Sequence, residues 1–414
     1  MKTKRIIVIG GGPAGMMSAI RAGELNQNVI LLEKKPSLGN KLLLSGKGRC
    51  NLTNACDLEA FLKRFSKRGD FLRDAFKKFF NQDLIGFFEK RGLKLKIERQ
   101  LRVFPVTDSS SSILNVLISE LSKNDVEVIL KAEVKDIIVK DAKVEGIVLS
   151  GGKIITCDHL ILATGGVSYG LTGSSGEGLK LARSLGHRIT DLRPGLVPLE
   201  TKENYPKKLE GLTLKNIRIV FTDEKKEIIS EVGELLFTGF GVSGPLVLTL
   251  SGEISDWLAS GKKVFADIDL KPGLSEEQLD ARLLREFKSG PKKNIKNILR
   301  GFLPLRLMDL SLEILKIDAH KQVSQVTQEE RRKLVLFFKS FRLEIKRTLP
   351  IEVAMVTRGG VYLKEINPRT MESRIIKGLY FAGEIIDVDA DTGGFNLQAA
   401  FSTGYLAGES AANS

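Results

Sequence analysis

The sequence predicts an α/β protein in which one doubly wound domain is divided by a β-rich insertion that carries a helical segment. The first 33 residues have the pattern strand, glycine turn, helix, strand, and a glycine-rich turn and helix recur near the C-terminus. Between them lie short strands over 126–164, Gly- and Pro-punctuated strands over 190–270, and a helical stretch over 274–340. A chain of 414 residues suits two or three such domains.

The order of elements sets the predicted domain boundaries. We place the divided domain at 1–190 and 346–414, the β-rich insertion at 191–273 and 335–345, and the helical insert at 274–334. The N-terminal βαβ unit and the C-terminal glycine-rich segment are then expected to meet in space.

Individual elements follow from apolar runs and turn residues. IIVIG forms a strand, Pro13–Leu25 a helix, and NVILLE a strand that ends at Glu33. VEVIL, VKDIIV, KVEGIVL and KIITCDHLILAT predict further strands, with turns at DAKVEG and SGGK. Ser275 is the expected N-cap of the first insert helix, and the last helix is predicted over 396–412.

Composition excludes several classes of protein. No apolar run approaches the roughly 18–20 residues of a membrane span. The basic start resembles a signal peptide, but its apolar part ends at Gly10–Gly12 and no cleavage site follows. The three cysteines form no disulfide framework, and no histidine pairs with them at zinc spacing. We therefore expect a cytoplasmic protein without a structural metal.

The net charge of +14 is concentrated in two segments. Residues 61–102 contain 13 Lys or Arg and 5 Asp or Glu, and residues 271–346 contain 17 and 10. In the first segment, eight phenylalanines alternate with basic residues at a spacing that suits amphipathic helices with a solvated basic face. Helix solubility accounts for such a pattern, and the alternative is a nucleic-acid footprint in which the cations displace phosphate counterions.

The first turn carries a dinucleotide-binding fingerprint. Gly10, Gly12 and Gly15 have the spacing G-x-G-x-x-G, follow an apolar strand and open a helix. Such glycines permit a tight turn, a close backbone approach to a pyrophosphate and close helix–strand packing. Glu33 ends the next strand, where a carboxylate accepts hydrogen bonds from a ribose. A glycine turn without a ligand is the alternative.

Two later strand ends favour FAD over NAD in this site. The strand HLILA leads into Thr164-Gly165-Gly166, and the strand GLYFAGE leads into Thr392-Gly393-Gly394-Phe395-Asn396. The second glycine turn opens a helix, whose N-terminal amides are suited to the flavin pyrimidine or the pyrophosphate. Each stretch alone is also compatible with an ordinary βα turn.

Four stretches resemble the BaiN/YhiN-type family of FAD-dependent flavoproteins, and the resemblance covers nearly the whole chain. Three are Gly39–Asn54 (GNKLLLSGKGRCNLTN), Gly233–Pro245 (GELLFTGFGVSGP) and Thr357–Val361 (TRGGV). The closing run 378–408 is the most specific. One departure is Phe240, near a place where the family often has a polar or histidine residue.

The resemblance implies a tightly bound FAD, a split Rossmann-type domain, a β-barrel-like inserted domain and a helical domain. It also implies a reductase that takes hydride from NADH or NADPH. Some relatives are ribosomal RNA dihydrouridine synthases that reduce a uracil double bond. Others are linked to reduction of steroid enones, and an amine oxidase label is also attached to the family. Hydride addition to an activated carbon–carbon double bond is common to the first two.

The fingerprint, the later strand ends and the resemblance together predict the cofactor contacts. They are Gly10, Gly12, Pro13, Ala14, Gly15, Glu33, Lys34, Lys41, Ser45, Gly48, Asn51, Val134, Ala163, Thr164, Gly165, Gly383, Glu384, Gly393, Gly394, Asn396 and Leu397. Asn51 and Asn54 are also candidates for capping turns.

Cys50 and Arg49 are the predicted catalytic residues, with Cys50 as the acid that protonates the substrate carbon opposite the hydride. Both lie in a basic, glycine-rich loop. Lys47 and Arg49 are expected to favour a thiolate, which makes Cys50 a weaker proton donor. The alternative is that Cys50 is a small packed residue beside FAD.

The leading hypothesis is a reductase of a uridine in 23S ribosomal RNA that binds RNA through residues 61–102 and 271–346. The first alternative is a small-molecule ene-reductase that acts on a steroid or bile-acid enone. The second is a flavoprotein that acts mainly as an RNA-binding assembly factor.

Overall fold

The computed structural model describes residues 3–65, 68–223 and 225–414, so the basic residues Lys2 and Lys67 lie outside the description. The chain forms two compact units, the first comprising residues up to Gly195 with Ile351–Ser414, the second Leu196–Pro350. Each unit has its own hydrophobic core. Among the described residues, no helix has both the length and the apolar character needed to cross a membrane.

The strands are numbered in chain order over the described residues. They are β1 (Arg5–Ile9), β2 (Asn28–Glu33), β3 (Thr53–Asn54), β4 (Leu95–Ile97), β5 (Arg102–Pro105), β6 (Glu127–Leu130), β7 (Val134–Lys140), β8 (Lys143–Leu149), β9 (Ile154–Thr156), β10 (His159–Leu162), β11 (Arg193–Gly195), β12 (Leu199–Thr201), β13 (Thr213–Thr222), β14 (Glu227–Ile229), β15 (Gly233–Thr238), β16 (Gly241–Ser243), β17 (Val264–Asp269), β18 (Phe341–Thr348), β19 (Val356–Arg358) and β20 (Leu379–Phe381).

The α-helices are numbered in the same way. They are α1 (Pro13–Glu24), α2 (Asn40–Leu44), α3 (Leu58–Leu62), α4 (Arg73–Lys78), α5 (Asn81–Glu89), α6 (Ser110–Lys123), α7 (Glu177–Ser184), α8 (Tyr205–Lys208), α9 (Pro245–Ala259), α10 (Glu276–Ser289), α11 (Ile295–Leu299), α12 (Leu305–Leu315), α13 (Gln328–Lys339) and α14 (Phe395–Asn413).

The first unit is built on a parallel sheet with the strand order β20-β10-β1-β2-β6. Its inner strands read as continuous apolar runs, as expected for strands that are covered on both faces. Because β20 follows the insertion and β1 precedes it, the sheet unites the two ends of the chain. The predicted split Rossmann-type fold is confirmed.

The second unit contains a closed barrel of six strands. The strands follow the order β13-β15-β16-β12-β18-β17, and β17 pairs back onto β13. Helices α10–α13 lie between β17 and β18 in the chain. Ser275 caps α10 as predicted, since its side chain accepts a hydrogen bond from the Gln278 N–H at 3.2 Å. The β-barrel-like insertion and its helical segment are therefore confirmed.

Two predicted elements were wrong. Residues 190–270, which were predicted as strands, contain the helix α9. The helix was missed because its apolar start with β-branched residues (PLVLTL) resembles a strand in sequence. Residues 153–164 form two strands, since the Cys157 N–H donates to Glu145 in an antiparallel sheet and the Asp158 N–H donates to Arg5 in the parallel sheet.

The described part of the basic segment 61–102 forms the short helices α4 and α5, with α3 overlapping its start. Its phenylalanines are largely buried, as the pattern predicts. The ring of Phe61 contacts those of Phe76, Phe80 and Phe395, with centroids 5.2, 5.1 and 4.7 Å away. This aromatic cluster joins the segment to the start of α14.

Helix α14 packs on α1 with almost no side chain between the two backbones. A Cβ added to Gly404 would lie 2.4 Å from the Ala14 carbonyl oxygen, and one added to Gly408 would lie 2.3 Å from that of Ser18. Real Cβ atoms do not approach backbone oxygens so closely. Glycine at both positions therefore sets the distance between the helices.

We expect Gly404→Ala to destabilise the protein by about 1–3 kcal/mol, because the new methyl group forces α14 away from α1. Gly86→Ala is the matched control. Gly86 lies within α5 with open space around its added Cβ, so alanine there is expected to stabilise by about 0.5–1 kcal/mol. Chemical denaturation of both variants measures the two shifts. Equal effects would show that the helix contact is not as tight as described.

Candidate functional site

The turn between β1 and α1 combines two packed glycines with one open glycine. A Cβ added to Gly10 (φ 111°) would lie 2.5 Å from the Ala163 carbonyl oxygen, and one added to Gly15 would lie 1.8 Å from that of Gly10. Gly12 is the N-cap of α1, and no heavy atom of the described residues, apart from its chain neighbours, lies within 4 Å of its added Cβ. The missing side chain leaves space before the helix N-terminus, whose amides stabilise an anion.

Glu33, at the end of β2, is held against this turn. Its Oε2 accepts a hydrogen bond from the Gly11 N–H and its Oε1 accepts one from the Lys35 N–H, both at 2.8 Å. A carboxylate has lone pairs for further hydrogen bonds, so Glu33 keeps the capacity to accept from a ribose. The neighbouring Lys34 forms an ion pair with Glu177, with Nζ and Oε2 2.6 Å apart.

The loop after α2 has a strained backbone. The angle φ is positive at Gly46 (57°), Lys47 (57°), Gly48 (86°) and Cys50 (58°). Lys47 and Cys50 carry side chains, for which this region is unfavourable, and such strain is concentrated at functional sites. Gly48 also has open space around its added Cβ, so a ligand can approach its backbone.

Cys50 is enclosed within the chain, and this corrects its predicted role. Its exposed fraction is 0%, and burial raises the pKa of its thiol to about 12. Arg49 turns away to Glu98 and Asp108, with Nη2 2.5 Å from an oxygen of each. The prediction that Arg49 and Lys47 favour a thiolate is therefore wrong. An enclosed thiol does not reach a substrate, which contradicts Cys50 as proton donor and matches the packed-residue alternative.

Lys41 and Glu384, both predicted contacts, form one polar cluster with two residues that the sequence did not single out. The Lys41 ammonium donates to Glu384 Oε2 and to Ser168 Oγ, each at 2.7 Å. Ser168 Oγ donates to Glu384 Oε1 at 3.1 Å, and the Thr357 N–H donates to the same oxygen at 2.7 Å. The sequence feature that could have identified Thr357 is its place as the first residue of the motif TRGGV. The cluster joins four separate stretches of the first unit.

The start of α14 is tied to the strained loop. With its amide oriented to satisfy both partners, Asn51 accepts from the Gly394 N–H at 3.2 Å and donates to the Thr53 carbonyl at 3.1 Å. Asn54 donates to the Gly393 carbonyl at 3.3 Å. Both asparagines thus bond to backbone groups, as the turn-capping alternative predicts. The remaining predicted contacts at this helix start are Asn396 and Leu397.

The stretch between Glu384 and α14 carries an Arg–Asp network that sequence reasoning missed. Asp387 is nearly buried and bonds to Arg68, whose guanidinium also lies 3.7 Å from Asp389. Burial raises the pKa of Asp387, and Arg68 acts in the opposite direction. Arg358 lies 3.7 Å from Asp389. The network fixes the loop that leads into α14.

Several predicted contacts have packing or capping surroundings. The Thr164 hydroxyl is buried, has no hydrogen-bond partner among the described residues, and faces Gly178, whose added Cβ would lie 1.9 Å from it. Ser45 donates to the Leu42 carbonyl at 2.6 Å. Gly383 packs on Ala14, with an added Cβ 2.7 Å from that of Ala14. Three further kinds of position complete the set. Pro13 is the first residue of α1, Ala163 and Gly165 follow β10, and Val134 begins β7.

These features fit a bound dinucleotide. Of the eight glycines predicted to contact the cofactor, only Gly12 and Gly48 border open space, and the others are required by packing or by a positive φ. Gly12 opens towards a helix N-terminus, and Glu33 supplies a carboxylate at the adjacent strand end. The predicted contacts other than Val134 lie in loops, strand ends and helix starts of the first unit.

Comparison with known proteins identifies the family. Residues 4–410 match the family described as HI0933-like protein Rossmann domain. The chain belongs to this family. It is 32% identical over 412 residues to 3-dehydro-bile acid delta(4,6)-reductase of Clostridium scindens, covering 99% of each chain. It is also 32% identical over 401 residues to ribosomal RNA dihydrouridine synthase of Escherichia coli, covering 96% of each chain.

Solved structures show the same fold at low sequence identity. A 3-ketosteroid delta1-dehydrogenase from Sterolibacterium denitrificans matches with a TM-score of 0.54 and 13% identity over 100% of both chains. Escherichia coli quinol fumarate reductase matches with a TM-score of 0.52 and 17% identity, over 100% of this chain and 71% of the other. The resemblance to the BaiN/YhiN-type family is confirmed, and the HI0933-like chain is a flavoprotein oxidoreductase.

We expect Gly12→Ala to weaken FAD binding at least about tenfold, because its methyl group enters the space before the α1 N-terminus. The cofactor-free variant is expected to keep its free energy of unfolding within about 1 kcal/mol, because none of the described residues meets the new Cβ. Flavin titration and denaturation of the cofactor-free chain measure the two quantities.

Gly15→Ala is the matched control, and we expect it to destabilise the cofactor-free chain by more than about 2 kcal/mol. The reason is the contact of its added Cβ with the Gly10 carbonyl. Unchanged FAD affinity in Gly12→Ala would contradict the assignment of this space to the cofactor.

Proposed function

We propose that this flavoprotein reduces an activated carbon–carbon double bond with electrons from NADH or NADPH, and that its substrate is a uridine of 23S ribosomal RNA. The redox part rests on the family and on the fit of the first unit to FAD. The choice of RNA rests on one observation, a basic surface without acidic partners in the second unit.

FAD, when bound, supplies the hydride transfer. The chain holds it through the space beside Gly12 and Gly48, the carboxylate of Glu33 and the N-termini of α1 and α14. What remains for the protein is to orient the substrate and to deliver a proton to the carbon that the hydride does not attack.

We assign proton delivery to Lys41, since Cys50 is enclosed. The Lys41 ammonium has three N–H donors, of which two are directed to Ser168 and Glu384. The third has no partner among the described residues. The side chain of Lys41 is 25% exposed, so this proton is accessible to a ligand. Ser168 and Glu384 fix its direction.

The basic surface lies on α10, α11, their connection and the C-cap of α11, and consists of Arg285, Lys288, Lys292, Lys293, Lys296 and Arg300. The stretch contains one carboxylate, Glu286, and none of the six cations forms an ion pair within the described part of the chain. The ion pairs of 271–346 lie elsewhere: those of Arg331 and Lys339 are examples. Uncompensated cations attract the phosphates of a nucleic acid.

In residues 61–102, many basic side chains are already paired within their own unit. Arg68 binds Asp387, and Arg91 binds Glu120. The basic residues of that segment without an ion pair among the described residues are spread along it: Lys63, Lys77, Lys90, Lys94 and Arg99. We therefore place the main RNA contact in the second unit.

A small-molecule ene-reductase is the second candidate. The relative named 3-dehydro-bile acid delta(4,6)-reductase aligns over as much of the chain as the ribosomal RNA dihydrouridine synthase does. A substrate of that class does not require the basic surface.

We expect Lys41→Met to slow substrate reduction at least about 100-fold, which is typical of losing a general acid. Cys50→Ala is the control and is expected to retain substrate turnover within about twofold, because the enclosed thiol does not reach the substrate. Stopped-flow measurement separates flavin reduction by NADPH from flavin reoxidation by substrate, and only the second step should slow in Lys41→Met. If Cys50→Ala slowed flavin reoxidation by substrate and Lys41→Met did not, Cys50 would be the proton donor.

We expect ribosomal RNA from a deletion strain to lack one dihydrouridine of the large subunit, and the plasmid-borne gene to restore it. Mass-spectrometric mapping measures this modification. An unchanged pattern, with conversion of a bile-acid enone by the purified protein, would favour the second candidate. An unchanged pattern with slow subunit assembly would favour an assembly factor.

Charge reversal tests the basic surface directly. The triple variant Arg285→Glu, Lys292→Glu, Arg300→Glu should bind RNA with a log K against log salt slope reduced by about 0.7 for each RNA phosphate that the protein no longer neutralises. The matched control is Lys77→Glu, Lys90→Glu, Lys94→Glu, which changes the net charge by the same amount in the first unit. Equal weakening of RNA binding in both variants would contradict a localised interface.

A further inference from the structure

Phe240 is the only exposed phenylalanine of the 21 in the chain, all of which lie within the described residues. Its exposed fraction is 41%. No other aromatic ring and no cation stacks on it among the described residues. A single exposed apolar side chain is common on protein surfaces, so this observation alone indicates no function.

The turn that carries Phe240 is firmly held. It connects the antiparallel strands β15 and β16 in the barrel. The Phe240 carbonyl accepts a hydrogen bond from the Thr201 N–H at 3.2 Å, and the Gly241 N–H donates to Thr238 Oγ1 at 3.2 Å. A Cβ added to Gly241 would lie 2.1 Å from the Leu199 carbonyl oxygen. The backbone position of Phe240 is therefore set by the barrel.

Three glycines at and after this turn, Gly239, Gly241 and Gly244, have the spacing G-x-G-x-x-G. That motif binds a pyrophosphate where a strand of a parallel sheet leads into a helix. Here Gly239 and Gly241 lie at an antiparallel hairpin and Gly244 is the N-cap of α9. The strand before the helix belongs to an antiparallel sheet, so the motif is not a second dinucleotide fingerprint. The ring of Phe240 itself is the feature that remains unexplained.

A polar cavity of about 430 Å³ adjoins Phe240 in the second unit. This volume lies in the range of roughly 300–1,000 Å³ that is usual for small-ligand sites. The other lining residues are Glu200, Thr201, Lys202, Glu203, Asn204, Lys207, Gly239 and Lys346. One aromatic face thus lies beside three ammonium groups, two carboxylates and an amide.

The charges of the cavity are partly satisfied. Lys346 pairs with Glu200 at 2.7 Å and Lys202 pairs with Glu344 at 2.5 Å. Within the described part of the chain, the Glu203 carboxylate accepts only the backbone N–H of Glu344, at 3.0 and 3.1 Å for its two oxygens. Lys207 has no acidic partner among the described residues. The cavity therefore offers a free cation and carboxylates with spare acceptor capacity.

This combination selects a ligand with a planar face, hydrogen-bond donors and a negative charge. A steroid has the wrong chemistry, because it requires apolar walls. A nucleotide has all three features: a base that stacks on an aromatic ring, base N–H and ribose hydroxyl donors, and a phosphate. We propose that the cavity binds one nucleotide of single-stranded RNA, with the base on Phe240 and the phosphate at Lys207. This proposal rests on the RNA substrate proposed above.

Tryptophan substitution gives a direct probe of the stacked base. The chain has one native tryptophan, the nearly buried Trp257, so Phe240→Trp adds an exposed reporter. We expect oligouridine to quench its emission in the holoenzyme and NADP+ to quench it only at higher concentration. Absence of quenching by oligouridine would overturn the proposal. So would tighter quenching by NADP+, which would assign the cavity to the nucleotide of the electron donor.

Phe240→Ala is expected to weaken binding of labelled oligouridine by about 5- to 100-fold, the loss typical of one stacked base. Ile229→Ala, which removes another exposed apolar side chain of the same unit, is the control and should bind as the unmodified chain does. Equal affinity of Phe240→Ala and the unmodified chain would overturn the inference. Loss of binding in Phe240→Ala alone would support it.

The two proposals fail separately. If the ribosomal RNA of the deletion strain keeps every dihydrouridine but Phe240→Ala still loses oligouridine binding, the modification activity is wrong and the nucleotide site stands. If the modification is absent from that strain but Phe240→Ala binds RNA normally, the activity stands and the site is overturned.

Discussion

The contact between α1 and α14 is the constraint on which the first unit depends. Gly404 lies over the carbonyl of Ala14 and Gly408 over that of Ser18, so the two helices run in the same direction with their backbones touching. One helix comes from each end of the chain. Their contact therefore closes a domain that the insertion divides, and it directs two helix N-termini towards the same end of the pair, where a dinucleotide needs them.

Much of the fold could be predicted because its signals are local. The G-x-G-x-x-G turn, the apolar strands and the N-cap Ser275 each act within a few residues. The errors arose where distant contacts decide the outcome. Helix α9 has a strand-like start, and it packs against strands of the barrel that are distant in sequence, such as β18. Cys50 lies in a basic loop by sequence, but its burial and the carboxylates that bind Arg49 depend on distant parts of the chain.

The prediction of a binding surface from basic residues is limited in the same way. Counting Lys and Arg along the chain cannot separate an arginine that neutralises a buried aspartate from one that faces solvent. Arg68 pairs with the buried Asp387, whereas Arg285 and its neighbours on α10 and α11 pair with nothing described. Residues of equal formal charge thus serve internal structure in one unit and remain available to a partner in the other.

The ends of the insertion are side by side in both units. Leu199 pairs with Thr348 between the first and last barrel strands, and Arg193 pairs with Arg358 in the domain that receives the insertion. An inserted domain whose two ends are neighbours can be replaced by another without distorting the domain that receives it. A flavin-binding domain with such an insertion point can accept a different inserted domain while its own strands and helices stay unchanged.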